Sequence, residues 1–203
     1  MGAEKWNASV LSRDEQREQK RRAVLLAGAK LFNEQGFDRT SLEDIAAALN
    51  ITKRTIYYYV QSKEDILYGC NLLGMEFVRD LTRKCSDRSV PVMDRIALLI
   101  REYTLWLGTD LGVCLVKTDP STLSGERQDE LRKGRRKLDT KLRDLIREGR
   151  EAGHIRNCNP RLAAAAIFGA LNWIPYWNHA DKPESHDRIY REFIDLFGSG
   201  LSA

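Results

Sequence analysis

Apolar positions recur along this chain at intervals of three and four residues, and no sustained alternation of apolar and polar residues competes with them. The pattern predicts helices throughout and therefore an all-α fold. The first periodic segment carries Val24, Leu25, Gly28, Leu31 and Phe32. It closes at Gly36, a glycine just past the last apolar turn and so a stop signal. A short second helix is expected over residues 43–49, introduced by Ser41 with Asp44 three positions later. Thr52 opens a third over residues 53–60, and Asn50 tolerates the left-handed backbone that a tight turn needs. Ser62, with Asp65 at the capping-box position, begins a much longer fourth helix striped by Ile66, Leu67, Cys70, Leu73, Phe77, Val78 and Leu81.

Beyond it, Pro91 starts a helix whose apolar face is Val92, Ile96, Leu99, Ile100 and Tyr103. A break falls around Asp119 and Pro120, and a highly charged helix follows over residues 126–151. Residues 160–177 are apolar almost all round, the mark of a helix buried on several faces. Pro183 precedes a last helix carrying Ile189, Phe193, Leu196 and Phe197. There are no repeats and no low-complexity linker. Short helices give way to long ones near residue 61. This divides the chain into a polar arm (1–20), a segment of short helices (21–67) and a larger helical domain (68–203).

Composition changes this picture little. With 42% hydrophobic and 31% charged residues among 203, the chain has ordinary globular composition and ample core material. Formal charge is only +4, so any affinity for nucleic acid must come from a local patch. Residues 1–19 are polar, and no apolar run approaches the roughly 18 residues of a membrane span, so neither a secretion signal nor a membrane contact is expected. Cys70, Cys85, Cys114 and Cys158 form no C-x-x-C pair, which suits a cytoplasmic protein with reduced, mostly buried thiols. His154, His179 and His186 have no metal-ligand spacing with those cysteines, so neither metal nor cofactor is expected.

The third helix carries the chemistry. Three short helices, the last two joined by a tight turn, match helix-turn-helix geometry. On a helical wheel Ile56, Tyr59 and Val60 share one face and can pack against Val24, Phe32 and Ile45. Lys53, Arg54, Tyr57 and Tyr58 share the other, which offers two cations, two phenols and no carboxylate. A DNA-reading helix needs long donors for guanine edges, and hydroxyls and ring faces for phosphates and thymine methyls. Thr40 and Ser41 at the start of the second helix, Thr52 at the start of the third, and Lys63 in the first turn of the fourth are natural phosphate anchors, because free N–H groups collect at helix starts. A merely solvated surface helix is the alternative for Lys53 and Arg54.

The run IAAALNITKRTIYYYVQSKEDIL, residues 45–67, resembles the TetR/AcrR family of transcriptional regulators. Ala27, Leu31, Phe32, Gly36, Phe37 and Thr40 resemble that family's first helix and its exit, so the likeness extends over residues 23–67 without a gap. By resemblance Thr55, Tyr57, Tyr58 and Lys63 fall on positions that family members use against DNA. Asn50 stands where the family often has a turn glycine, and Val60 where it often has phenylalanine. Both are compatible replacements, since Asn tolerates the same backbone region and Val60 faces inward. The resemblance implies a homodimer on a palindromic double-stranded DNA operator, and a C-terminal domain that dimerises through its last two long helices and holds a ligand pocket.

The C-terminal half is compatible with that implication. Ala163, Ala166 and Gly169 are small enough for two helices to approach closely, and Phe193, Leu196 and Phe197 would complete a dimer seam. Packing within one subunit is the alternative. Asn172, Trp173, Tyr176 and Trp177 cluster around Pro175, a mid-helix proline expected to bend the helix and free backbone carbonyls. With Phe77, Tyr103 and Trp106 they could line an apolar pocket, or form a plain aromatic core. The segment resembles that of family members responding to acyl-CoA thioesters. Arg132, Lys133, Arg135, Arg136 and Lys137 would then meet the phosphates, although their acidic neighbours suit a solvated face. A ligand-released repressor with a small apolar effector is the leading expectation. A helical enzyme would need a nucleophile–base pair, a metal cluster or paired carboxylates in the apolar half, and none is evident. A ligand-independent DNA binder, and a regulator of efflux or detoxification answering an unrelated hydrophobic compound, remain open.

Overall fold

Side-chain caps set the boundaries of the N-terminal helices. In the computed structural model, which describes residues 12–123, 125–178 and 184–201, the first helix α1 (Arg13–Gln35) starts within the expected polar arm. Ser12 accepts from the Glu15 N–H at 3.2 Å while Glu15 accepts from the Ser12 N–H at 2.7 Å, a reciprocal pair that fixes the start. Exposed turns therefore extend the helix well before its first buried residue, Val24. Ser41 and Asp44 repeat the device at α2 (Leu42–Ala48). Thr52 accepts from the Thr55 N–H at 3.1 Å and opens α3 (Lys53–Ile56), shorter than the residues 53–60 expected and continued by a looser turn. Asn50, at φ 53°, is the left-handed residue of the intervening turn.

Helix α4 (Lys63–Lys84) follows. Ser62 accepts from the Asp65 N–H as expected, and the Asp65 carboxylate accepts from the Gln61 N–H at 3.1 Å. The chain divides into two compact units at Cys70 and Asn71. The core of the first is Leu25, Ala29, Phe32, Ile45, Ile56 and Ile66, all buried. Gly28 lets α1 meet α4 closely, because a Cβ there would lie 2.5 Å from Ile66 Cγ2.

The second unit contains α5 (Val92–Trp106), α6 (Asp110–Lys117), a 3₁₀ turn (Pro120–Thr122), α7 (Glu126–Glu151), α8 (Pro160–Trp177) and α9 (His186–Leu201). Helix α6 is an element the periodicity did not suggest; Thr109 caps it by accepting from the Gly112 N–H at 3.1 Å. Helix α5 packs against α7 and α9, and α8 packs against α6 and α7. Leu99, Ile100, Leu142, Ile146, Leu171 and Ile174 fill the centre. The buried Arg95 joins α5 to α7 by donating to both carboxylate oxygens of Glu148, and its Nε donates to the Val90 carbonyl at 2.9 Å. Pro175 sits in the last turn of α8 and not mid-helix, so the carbonyl it frees lies near the helix end. No β-strand and no helix long and apolar enough to cross a membrane occurs among the described residues. Pro183 and His179 lie outside them.

Candidate nucleic-acid interface and ligand cavity

The turn of α3 sorts its side chains by face. Ile56 and Val60 are buried and Tyr59 is half-buried, while Lys53, Arg54 and Tyr57 are exposed and Tyr58 is 64% exposed. The two faces are those the helical wheel gives. Arg54 has no ion pair or hydrogen bond among the described residues and presents its full fork of donors to solvent. Lys53 is engaged: its ammonium pairs with the Glu43 carboxylate of α2. That contact holds Glu43 below the ordinary carboxylate range and Lys53 above the ordinary lysine range. The Thr52 and Thr55 hydroxyls lie 2.8 Å apart and bond each other, and Thr52 Oγ also accepts from the Thr55 N–H, which leaves one hydroxyl hydrogen of the pair to donate outward.

Three expected phosphate anchors have prior engagements. Thr40 is buried, and its hydroxyl donates to the Gly36 carbonyl at 2.9 Å, so it shapes the corner after α1 rather than facing outward. The Ser41 hydroxyl donates to Asp44 at 2.6 Å. Lys63 turns back onto the same corner: Nζ donates to the Phe37 carbonyl at 2.9 Å and the Asp38 carbonyl at 3.0 Å, and sits 4.6 Å from the Phe37 ring centre. Nothing in the spacing around Lys63 signals this direction.

The second unit holds a cavity of about 560 Å³, within the range of small-molecule sites. Its walls are mainly Met75, Val78, Trp106, Leu131, Leu138 and Phe168. Inside it the Tyr103 hydroxyl donates to Asn172 Oδ1 at 2.6 Å, a polar pair in an apolar setting. Gly74 and Gly134 leave the room: a Cβ on either would come within 3 Å of Leu115 or Met75. Of the seven expected ligand residues, Tyr103, Trp106, Asn172, Trp173 and Tyr176 line this space. Phe77 does not; it stacks on Trp106 at 4.9 Å between ring centres and so backs the wall. Trp177 is likewise outside the lining, because it extends one position beyond the last cavity-facing residue of α8.

Arg132, Lys133, Arg136 and Lys137 are exposed on α7; the side chain of Arg135 lies outside the described residues. Lys133, Arg136 and Lys137 border a shallow surface depression with Lys141, turned away from the Leu131, Gly134 and Leu138 side that faces the cavity. The expected dimer residues also divide. Ala166 and Gly169 are exposed, Ala163 is half-buried, and Leu196 is 64% exposed. Phe193 and Phe197, by contrast, are half-buried against their own unit's core. The buried thiol of Cys114 is pushed up to about 11 by desolvation and stays protonated at neutral pH, so it is no nucleophile.

Residues 24–68 match the model of bacterial regulatory proteins of the tetR family, and residues 89–201 match that of the tetracyclin repressor-like C-terminal domain. The chain belongs to the TetR family of transcriptional regulators. Over 73 residues it is 50% identical to IcaR, the HTH-type negative transcriptional regulator of the biofilm operon icaADBC of Staphylococcus aureus. That match covers 36% of this chain and only 39% of IcaR. The solved structure of PfmR from Thermus thermophilus, 27% identical, superposes with a TM-score of 0.79 over 89% of this chain and 99% of its own. AibR, solved with isovaleryl coenzyme A and operator DNA, is 23% identical with a TM-score of 0.77 over 87% of this chain and 96% of its own; it shares the fold.

Proposed function

We propose that this TetR-family regulator is a repressor that binds a palindromic operator as a homodimer and lets go when a small apolar effector enters the cavity of the second unit. The observation that carries the reading is the outward face of α3 and of the turn that continues it, where Arg54, Tyr57 and Tyr58 stand exposed while Ile56 and Val60 on the other side are fixed in the core. Arg54 is the base-reading residue, since its fork matches the two acceptors of a guanine edge. Tyr57, Tyr58, Thr52 and Thr55 contact backbone or thymine methyls, and Lys53 joins them on leaving Glu43. Thr40, Ser41 and Lys63 hold the helices that carry this face.

The effector is an apolar molecule with at least one group that bonds the Tyr103–Asn172 pair. Acyl-CoA thioesters are the first class to try: the cavity's apolar walls suit an acyl chain, and AibR is solved with isovaleryl coenzyme A. Helix α4 belongs to both units, with Lys63 at its start and Met75 at the cavity wall, and is the element through which occupancy would reach the DNA-binding side. The effector must favour the DNA-incompetent state by roughly 1–3 kcal/mol for a typical coupling.

Fluorescence anisotropy of labelled DNA flanking the chain's own gene, titrated with acyl-CoAs of several lengths, tests both halves. Release of the DNA at effector concentrations that also saturate direct binding is expected, because linkage makes the two effects reciprocal. Tight, sequence-specific binding that no acyl-CoA relieves would leave a DNA-binding regulator with a different effector or none.

A further inference from the structure

The cavity of the second unit offers no free charge to a ligand inside it. Asp139 is its one ionised lining residue, and that carboxylate is paired with Arg143 one turn along the same helix. No lysine, arginine or histidine lines the space among the described residues. The other polar side chains that could meet a ligand deep inside are the amides of Asn71 and Asn172 and the Tyr103 hydroxyl. An anion drawn fully into this setting would lose its water and gain no counter-charge, which is strongly unfavourable.

A cation stands just outside. Among the lining residues Trp173 and Tyr176 are 60% and 40% exposed, so the space opens on their side. The Tyr176 hydroxyl donates to the Val116 carbonyl of α6 at 3.5 Å, and Lys117 Nζ lies 5.8 Å from the centre of the Tyr176 ring. Lys117 is exposed and makes no hydrogen bond or ion pair among the described residues. The carboxylate nearest to it in sequence, Asp119, is turned to the Ser121 N–H, from which it accepts at 2.8 Å. Asn172 lies one turn of α8 before Tyr176, about 6 Å along the helix axis. A ligand that bonds the Tyr103–Asn172 pair therefore has its outward end within reach of Lys117.

We propose that Lys117 is the headgroup site of the effector, and that the effector is an anionic amphiphile. Its uncharged body enters the cavity, while its phosphate or carboxylate stays at the mouth on the Lys117 ammonium. The inference rests on the effector reading above and deepens it, since that reading assigns no residue to the ligand's charge. The division of labour follows from the surroundings. Apolar walls with uncharged hooks select by size and hydrogen bonding, and the one ionic contact is left where water still solvates it. An ammonium on a flexible stem meets either anion, because it acts as a point charge with three donors. The face of the Tyr176 ring keeps that ammonium at the mouth while the site is empty. An ion pair at such an edge contributes modestly and is sensitive to salt.

The test compares charged and uncharged ligands on the full chain, with binding read from tryptophan emission because Trp106 and Trp173 line the cavity. The probes are octanoyl-CoA, octanoate and the uncharged octanoyl thioester of N-acetylcysteamine. Lys117→Gln should weaken the binding of an anionic probe roughly two- to fivefold, the range of an exposed ion pair. Lys117→Glu should weaken it further and Lys117→Arg should restore it, while the uncharged thioester binds all four proteins alike. Rising salt should narrow the gap between wild type and Lys117→Gln. Loss with octanoyl-CoA alone would identify phosphate as the partner, and loss with octanoate alone the carboxylate; either sustains the proposal. An equal loss for the uncharged thioester would mean that Lys117 acts by packing on Tyr176, and would overturn it. So would unchanged affinity for both anions in Lys117→Gln and Lys117→Glu. A wild-type chain that binds none of the three, nor their shorter and longer homologues, would remove the acyl effector reading and this inference with it.

Discussion

Lys63→Met separates two roles that a lysine at a helix start can play. The substitution keeps the aliphatic stem and deletes the ammonium, which in the free chain donates to the carbonyls of Phe37 and Asp38 and rests against the Phe37 ring. A hydrogen bond to a charged group is worth about 1.5–3 kcal/mol, and half-burial of Lys63 favours the lower end. The second bond from the same ammonium and the cation–π contact each add about 0.5 kcal/mol. The corner after α1 should therefore open more readily by about 2–3 kcal/mol. Amide hydrogen exchange reads this directly. The Gly36 and Thr40 amides, which donate to Phe32 and Phe37, should exchange roughly thirty- to a hundredfold faster, since about 1.4 kcal/mol is a factor of ten. Core amides of the second unit, such as those around Leu99, should not change. Anisotropy over a salt series supplies the other arm, because each lost phosphate contact lowers the slope of log affinity against log salt by about 0.9. Unchanged exchange at Gly36 and Thr40, with a slope reduced by about one, would refute the corner-holding role and restore Lys63 as a phosphate anchor.

Other expectations follow from the same contacts. Glu43→Gln frees Lys53 and removes a carboxylate from the reading face, so it should steepen the salt dependence of DNA binding by roughly one unit in the same titration. Asn172→Leu should weaken effector binding about tenfold by removing the partner of the Tyr103 hydroxyl, with operator affinity in the absence of effector unchanged. Arg95 holds the Glu148 carboxyl below its ordinary value, so the pair stabilises the fold above the usual carboxylate range and loses that contribution as pH falls through the lowered folded value. Glu148→Gln should then cost about 1 kcal/mol at neutral pH, discounted for its partial exposure, and thermal melts should converge with wild type in acid.

Much of the first unit was legible because its boundaries are local chemistry. Ser41 with Asp44, Thr52, Asn50 and Ser62 each announce a helix end through their own side chains, and the inward and outward faces of α3 follow from spacing alone. Ser12 and Glu15 carry the same signal, which places the start of α1 inside the polar arm. Helix α6 has a cap in Thr109, but its eight residues give too little periodicity to stand out between α5 and the turn at Pro120. What spacing could not supply was direction. Lys63 and Thr40 sit where phosphate anchors belong, yet a tertiary corner claims both. The cavity was half legible for a similar reason. The aromatic positions drew attention to Phe77, while the face of α4 that meets the cavity is Asn71, Gly74, Met75 and Val78, one helical stripe away. Gly74 and Gly134 were the available signal, as small residues within otherwise bulky helices. Trp177 stands outside the cavity lining, because composition marks a cluster but not which of its members faces inward.

The most direct measurement is the affinity of the full chain for DNA flanking its own gene, by fluorescence anisotropy, for wild type and Arg54→Ala side by side with a scrambled duplex. Arg54 is exposed and without a protein partner among the described residues, so its loss should leave the helical spectrum and thermal midpoint unchanged. Specific affinity should fall by about 1–3 kcal/mol, with much less effect on the scrambled duplex. Equal affinity of the two proteins for the specific duplex, or no preference of wild type for it over the scrambled one, would contradict the assignment of α3 as the reading helix.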